Sequence, residues 1–173
     1  AMEDTLADTA NVLAELASDD LLAGRITTGR FAARIRSMGQ REIGGKIWGE
    51  PKHAPSYRIT VTDARGIVVY DSAGRDVGRD NSRWNDVHRT LRGEYGARAT
   101  RDDPDDEMSS VMYVAAPIRD VQGRIAGVLT ALLAAPQSTH TNCTPLCVKA
   151  TFIASVTLAD GFMLRKNAAR GSW

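Results

Sequence analysis

Apolar positions along this chain repeat with two different periods. Over residues 2–17, Met2, Leu6, Val12, Leu13 and Leu16 recur at helical spacing, with Glu3, Asp4, Asp8, Asn11 and Glu15 between them, which predicts an amphipathic helix. Acidic residues at its start suit the positive end of the helix dipole. Ser18-Asp19-Asp20 predicts a break before Leu21-Leu22. Leu6 and Leu13 stand seven apart, so a seam of Leu6, Leu13 and Leu16 against a second helix is open. Two heptads do not define a coiled coil, and packing on the domain's own sheet is the plainer reading. A second helix is predicted over 28–38, with Phe31, Ile35 and Met38 on one face, Arg30, Arg34 and Arg36 elsewhere, and Gly39 as its stop. The arginines read as a solvated face before an anion site.

Glycines and prolines punctuate residues 41–56, leaving room for a short strand at 46–48 and placing His53 in a loop. The period then changes to two. Tyr57, Ile59 and Val61 fall on one side of a strand, Arg58, Thr60 and Thr62 on the other. Asp63-Ala64-Arg65-Gly66 supplies turn chemistry, since aspartate bonds its own backbone and glycine accepts positive φ. Residues 67–70 return as the second arm of a hairpin. A glycine-containing loop at 72–81 leads to a helix predicted from Ser82, capped by Ser82 or Asn81, with Trp84, Val87, His88 and Leu91 on one face and Gly93 at its left-handed end. Strands are predicted at 95–100, 109–117 and 124–133, the last two joined by a turn at Val121-Gln122-Gly123-Arg124. Between the first two, residues 101–107 hold five carboxylates. They lack the glycine and ligand spacing of a calcium loop and read as a solvated hairpin tip.

After residue 134 the chain changes character. Residues 135–173 hold Cys143-Thr144-Pro145-Leu146-Cys147 and an apolar run interrupted by Asp160 and Gly161. With no second Cys or His pair nearby this is a poor zinc motif, and a local disulfide or two free thiols are both open. The expected organisation is therefore one domain over 1–134 and a divergent tail over 135–173. A chain of 173 residues, 43% apolar, suffices for one core. Its 22 Lys and Arg nearly cancel its 21 Asp and Glu, so no global field advertises nucleic acid as a partner. No apolar run reaches the roughly 20 residues that span a bilayer, and no signal peptide opens the sequence. The chain as given reads as soluble, with room for a membrane segment upstream.

Catalytic signatures are missing: there is no nucleophile elbow, no zinc-protease helix, no phosphate loop and no dinucleotide fingerprint. Asp63 and Asp71 bracket the hairpin and could form an acid and base pair, but both stand where turns want aspartate. Nothing calls for a cofactor or a metal. Binding is the better supported class. A sheet carrying a capped helix and long loops can enclose a pocket, and Arg83, Trp84, His88, Arg98 and Tyr113 would supply its cationic and aromatic lining. Such donors suit a carboxylate or another small anion. His88 is equally explained as a helix histidine beside Trp84, and Trp84 and Leu91 are expected in the core.

The order of elements, with the strings TDARGIVVYDS and AAPIRDVQGRIAGVL, resembles the extracytoplasmic PAS-like sensor domains also called PDC or Cache, and among them those of CreC-type sensor histidine kinases. The carriers are residues 5–24, 61–100 and 109–118. This resemblance implies an α+β fold, a five-stranded antiparallel sheet with a long N-terminal helix and flanking helices. It implies a periplasmic domain of a two-component kinase tethered in the bacterial inner membrane, with the N-terminal helix meeting its mate in a homodimer. A cue would then move that helix, and the loop 72–81 and the helix 82–92 are the expected moving parts. A chemoreceptor or cyclase sensor, or an interaction module without a small ligand, are the alternatives. No ligand motif carries over to Arg83, His88 or Arg98, and the kinase core is absent from the chain.

Overall fold

The structure, a computed structural model, describes residues 2–47, 50–52, 56–101 and 110–134. The acidic run, His53, His140, Cys143, Cys147 and the whole stretch 135–173 lie outside the described residues.

The first apolar repeat forms α1 (Met2–Leu22). Its inward face is Leu6, Ala10, Ala14 and Ala17, all at most 2% exposed. Three of the four are alanine, so the helix backbone can lie close to the sheet. The predicted break at Ser18-Asp19-Asp20 does not occur, because Asp20 has another task. Its carboxylate accepts the backbone N–H of Phe31 at 2.7 Å, in the first turn of α2 (Arg30–Gly39), whose N-cap Gly29 offers no side chain. Asp20 is thus the cap of a helix ten residues downstream, and it stays inside α1 to reach that position. Arg30, Arg34 and Arg36 are exposed, while Phe31, Ala32 and Ile35 are buried.

A two-stranded ribbon, β1 (Gly45–Ile47) with β2 (Glu50–Lys52), precedes the main sheet. That sheet comprises β3 (Tyr57–Asp63), β4 (Val68–Asp71), β5 (Gly96–Arg101), β6 (Ser110–Arg119) and β7 (Ile125–Ala134), in the order β4-β3-β7-β6-β5 with every neighbour antiparallel. Both expected hairpins form, and by the same device. Asp63 Oδ1 accepts the N–H groups of Arg65 and Ile67, with Gly66 at φ 86°. Asp120 Oδ1 accepts those of Gln122 and Arg124, both at 2.9 Å.

Register sorts the sheet into two faces. Ile59, Val61, Val114, Leu129 and Ala131 share one face and are fully buried. α1 packs there against β6 and β7, and Phe31 of α2 meets Tyr70 edge to face at 5.8 Å. The other face is covered by α3 (Asn85–Leu91), where Val87 packs with Ala115 and Val128, and Leu91 lies against them. Gly93 takes the left-handed conformation, φ 80°, just beyond this helix. The expected cap at Asn81 or Ser82 is displaced. Residues 81–84 form a turn, Trp84 N–H to Asn81 carbonyl at 3.0 Å, and the helix starts only at Asn85.

The seam expected of Leu6, Leu13 and Leu16 divides. Leu6 is 1% exposed and belongs to the domain's own core, Leu13 is half-buried, and Leu16 is 66% exposed beside Val12 at 61%. No helix among the described residues is long and apolar enough to cross a membrane.

Candidate functional site

The face beneath α3 is where polar side chains gather. Its strands present two adjacent rows. Arg58, Leu132, Tyr113 and Arg98 pair in sequence across β3, β7, β6 and β5. Beside them run Thr60, Thr130, Ala115 and Gly96. Thr60 is 6% exposed and Thr130 2%, so the alternating polar positions of β3 do not face water. They floor a cavity of about 60 Å³.

Asp71, at the end of β4, organises the wall. Its Oδ1 accepts the N–H of Ala73, and its Oδ2 those of Arg75 and Asp76, at 2.8–2.9 Å. Arg58 closes on it with Nε and Nη2 at 3.0 and 2.6 Å, and Nη2 also reaches Asp76 at 2.8 Å. Burial pushes the Asp71 carboxyl up, but the Arg58 and backbone hydrogen bonds outweigh it and hold the group well below the usual carboxylate range. Hydrogen bonding to Asp71 raises the Arg58 guanidinium in turn. The chain then runs back along β4, with Gly78 N–H on Val68 carbonyl and Asn81 N–H on Gly66 carbonyl at 2.8 and 2.9 Å. Gly66 is required there, since a Cβ would strike Ser82. This return places Asn81 and Trp84 over the cavity.

Arg98 is held on three sides. Its guanidinium carbon stands 4.1 Å from the Trp84 ring centroid and 3.6 Å from that of Tyr113, a stacked arrangement that suits a planar cation. Its Nε donates to Asp86 Oδ1 at 3.0 Å, and Asp86 is 2% exposed. The four N–H groups of Nη1 and Nη2 make no hydrogen bond among the described residues. Asp86 can reach β5 because α3 lies against Gly96, where any Cβ would fall on the Asp86 carbonyl oxygen. Two further polar atoms, Asn81 Oδ1 and Thr130 Oγ1 of lining residues, are buried with no hydrogen-bond partner among the described residues. No group of three potential metal ligands occurs among the described residues.

Of the five residues singled out in the sequence, the structure brings Trp84, Arg98 and Tyr113 together around the cavity. Trp84 is half-buried in its wall and not in the core. Arg83 and His88 are exposed and do not line it. Arg58, Thr60, Asp76, Asn81 and Asp86 line it and were not anticipated. One sequence signal did point to two of them: Arg58 and Thr60 alternate with apolar residues on a strand of a sheet expected to carry helices. Asp63 and Asp71, the candidate acid and base, are both consumed by turn and arginine hydrogen bonds.

Over 130 residues the chain is 52% identical to the sensor protein CreC of Escherichia coli, a match covering 75% of this chain and 27% of that protein. The match thus takes in about a quarter of the curated relative's length. Among solved structures it is similar to the DcuS sensor domain of Escherichia coli, at 18% identity and TM-score 0.44, covering 76% of this chain and 90% of that one. It is also similar to the phage VqmA–DPO complex, at 11% identity and TM-score 0.41, covering 82% and 61%. Neither structural likeness is strong enough to carry over a ligand or a mechanism. No family model matches the chain.

Proposed function

Since these 130 residues make the chain a relative of CreC-type sensor proteins with a PAS-like α+β fold, we propose that it is the extracytoplasmic signal-receiving domain of a membrane-bound two-component sensor histidine kinase. It stands on the periplasmic side of the inner membrane and passes its signal by movement of α1. The cue is a small anion or carboxylate held in the cavity between α3 and the sheet. The observation that carries this reading is Arg98, a half-buried guanidinium lying over the Trp84 and Tyr113 rings, whose outer edge has no hydrogen bond among the described residues. A ligand seated there contacts α3 through Trp84 and Asp86 and the loop 72–81 through Asp76 and Asn81. Signalling then requires only that it bind two placements of these segments unequally.

The domain is non-catalytic in this reading, and the kinase reaction belongs to the part of the parent protein outside this chain. The test is a thermal-shift screen of carboxylates, amino acids, phosphate and divalent ions against this chain and its Arg98→Lys variant. A compound that raises the melting temperature of the parent alone supports the cavity. Equal shifts in both proteins, or none, would move the reading to an interaction module. That second reading has its own support in the exposed Val12 and Leu16 on the outer face of α1, which suit a homodimer partner. Replacing both by aspartate should leave the monomer folded and lower the mass seen by light scattering.

A further inference from the structure

The helices α1 and α3 lie on opposite faces of the sheet, α1 against β6 and β7 and α3 against Ala115 and Val128 through Val87. With the sheet between them, a direct tie has to pass round an edge. The structure builds one at the β5 edge, where Tyr95 immediately precedes the strand. The Tyr95 hydroxyl donates to Glu3 Oε1 at 2.7 Å, joining residues 92 positions apart.

Tyr95 is fixed to α3 by both of its neighbours. On one side, Glu94 N–H donates to the Arg89 carbonyl at 3.0 Å, and the Glu94 carboxylate lies 3.4 Å from Arg89 and 3.7 Å from Arg92. The chain therefore leaves α3 folded back on its last turn. On the other side, Gly96 lies so close to α3 that a Cβ would strike the Asp86 carbonyl oxygen and the Thr90 hydroxyl. Glu3 stands in the first turn of α1, a helix with no basic side chain, so it has no partner of opposite charge along its own helix. We propose that Tyr95 is a positioning residue, whose hydrogen bond to Glu3 makes the first turn of α1 follow the placement of α3. This rests on the reading of α1 as the element that carries the signal, and it gives that signal a route that does not cross the core of the sheet. When α3 shifts over Gly96, Tyr95 shifts with it, and a hydrogen bond weakens steeply once its distance and angle are lost.

Hydrogen–deuterium exchange of the 173-residue chain without ligand tests this. The amides of residues 6–10 report on the first turn, because each donates to the carbonyl four residues back. Tyr95→Phe removes only the hydroxyl of an exposed ring, so its fold should survive. It should speed exchange at 6–10 about threefold, the worth of one exposed hydrogen bond to a carboxylate. Val87→Ala loosens α3 from Ala115 and Val128 and should speed exchange at 85–92 in every background. In the parent it should also speed exchange at 6–10, and in Tyr95→Phe it should add nothing there. Glu3→Gln keeps an acceptor oxygen and should retain the response of 6–10 to Val87→Ala, whereas Glu3→Ala should lose it. A merely structural hydroxyl would leave that response the same in Tyr95→Phe as in the parent, which overturns the proposal. So does unchanged exchange at 6–10 in Tyr95→Phe, or a parent in which Val87→Ala loosens 85–92 alone. No compound enters these measurements, so their failure leaves the cavity reading intact, and a failed ligand screen leaves this tie intact.

Discussion

Arg58 makes three charge-assisted hydrogen bonds to two carboxylates, and one of these, Asp71, also receives three backbone N–H groups. A buried carboxylate so fully satisfied tolerates no loss of its partner. Asp71→Asn should cost about 3–5 kcal/mol at neutral pH. The sign with pH follows from the depressed pKa of the folded state. The stabilisation is complete above the unfolded-state value of about 3.9 and fades as pH falls below it. Urea titrations at pH 7 and pH 3 should therefore show a smaller gap between parent and Asp71→Asn at the lower pH. A gap that is constant or widens would mean the carboxylate charge does not hold the loop. Thr62 is the opposite case. Thr62 is 1% exposed and its buried hydroxyl has no hydrogen-bond partner among the described residues, so Thr62→Val should raise stability by about 1 kcal/mol, read as a higher urea midpoint with unchanged slope.

At the scale of elements, one carboxylate of α1, Asp20, caps α2. Asp20→Ala removes the only side-chain cap α2 receives among the described residues and should cost about 1–2 kcal/mol in chemical unfolding. An unchanged midpoint would show that water caps that helix equally well. On the opposite face, α3 depends on a bare backbone at Gly96. Gly96→Ala should cost about 1–3 kcal/mol by overpacking and weaken any ligand held through Trp84 and Asp86. Neither dependence was legible in the sequence, and for related reasons. Ser18-Asp19-Asp20 carries the composition of a break, and only the return of α2 over the end of α1 turns Asp20 inward. Gly96 sits at the head of a strand, where nothing local requires glycine. Elements whose signal is local were legible: the hairpin at Asp63 to Gly66, the second hairpin, whose turn is Asp120 to Gly123, one residue before the expected Val121 to Arg124, and the left-handed Gly93. The start of α3 was not, because Asn81 and Ser82 have capping chemistry but are drawn along the β4 edge by Gly66.

For the whole molecule, the hydrophobic periods predicted the order of elements and the family resemblance implied the α+β class, but neither told which polar positions would be enclosed. Arg58 and Thr60 look like the wet side of a strand until the sheet is covered on both faces. Arg98 and Tyr113 are then brought opposite each other by register, a pairing that no spacing along the chain encodes. The same covering places Leu6 in the interior and leaves Val12 and Leu16 outside. It also gives the domain a polar layer, with Asp71, Thr130 and Asp86 buried and Arg58 and Arg98 half-buried, between α3 and an otherwise apolar sheet. If the cue is received as proposed above, it meets this layer and not the outer face of α1 or the groove at the start of α2. Hydrogen–deuterium exchange distinguishes these places, run on the chain with and without a compound that raises its melting temperature but not that of Arg98→Lys. The expected result is slowed exchange in 72–92 and 96–101, which wall the cavity, with little change at 20–33, where a second, open groove lies at the start of α2. Protection confined to 20–33, or spread along the outer face of α1 alone, would contradict it.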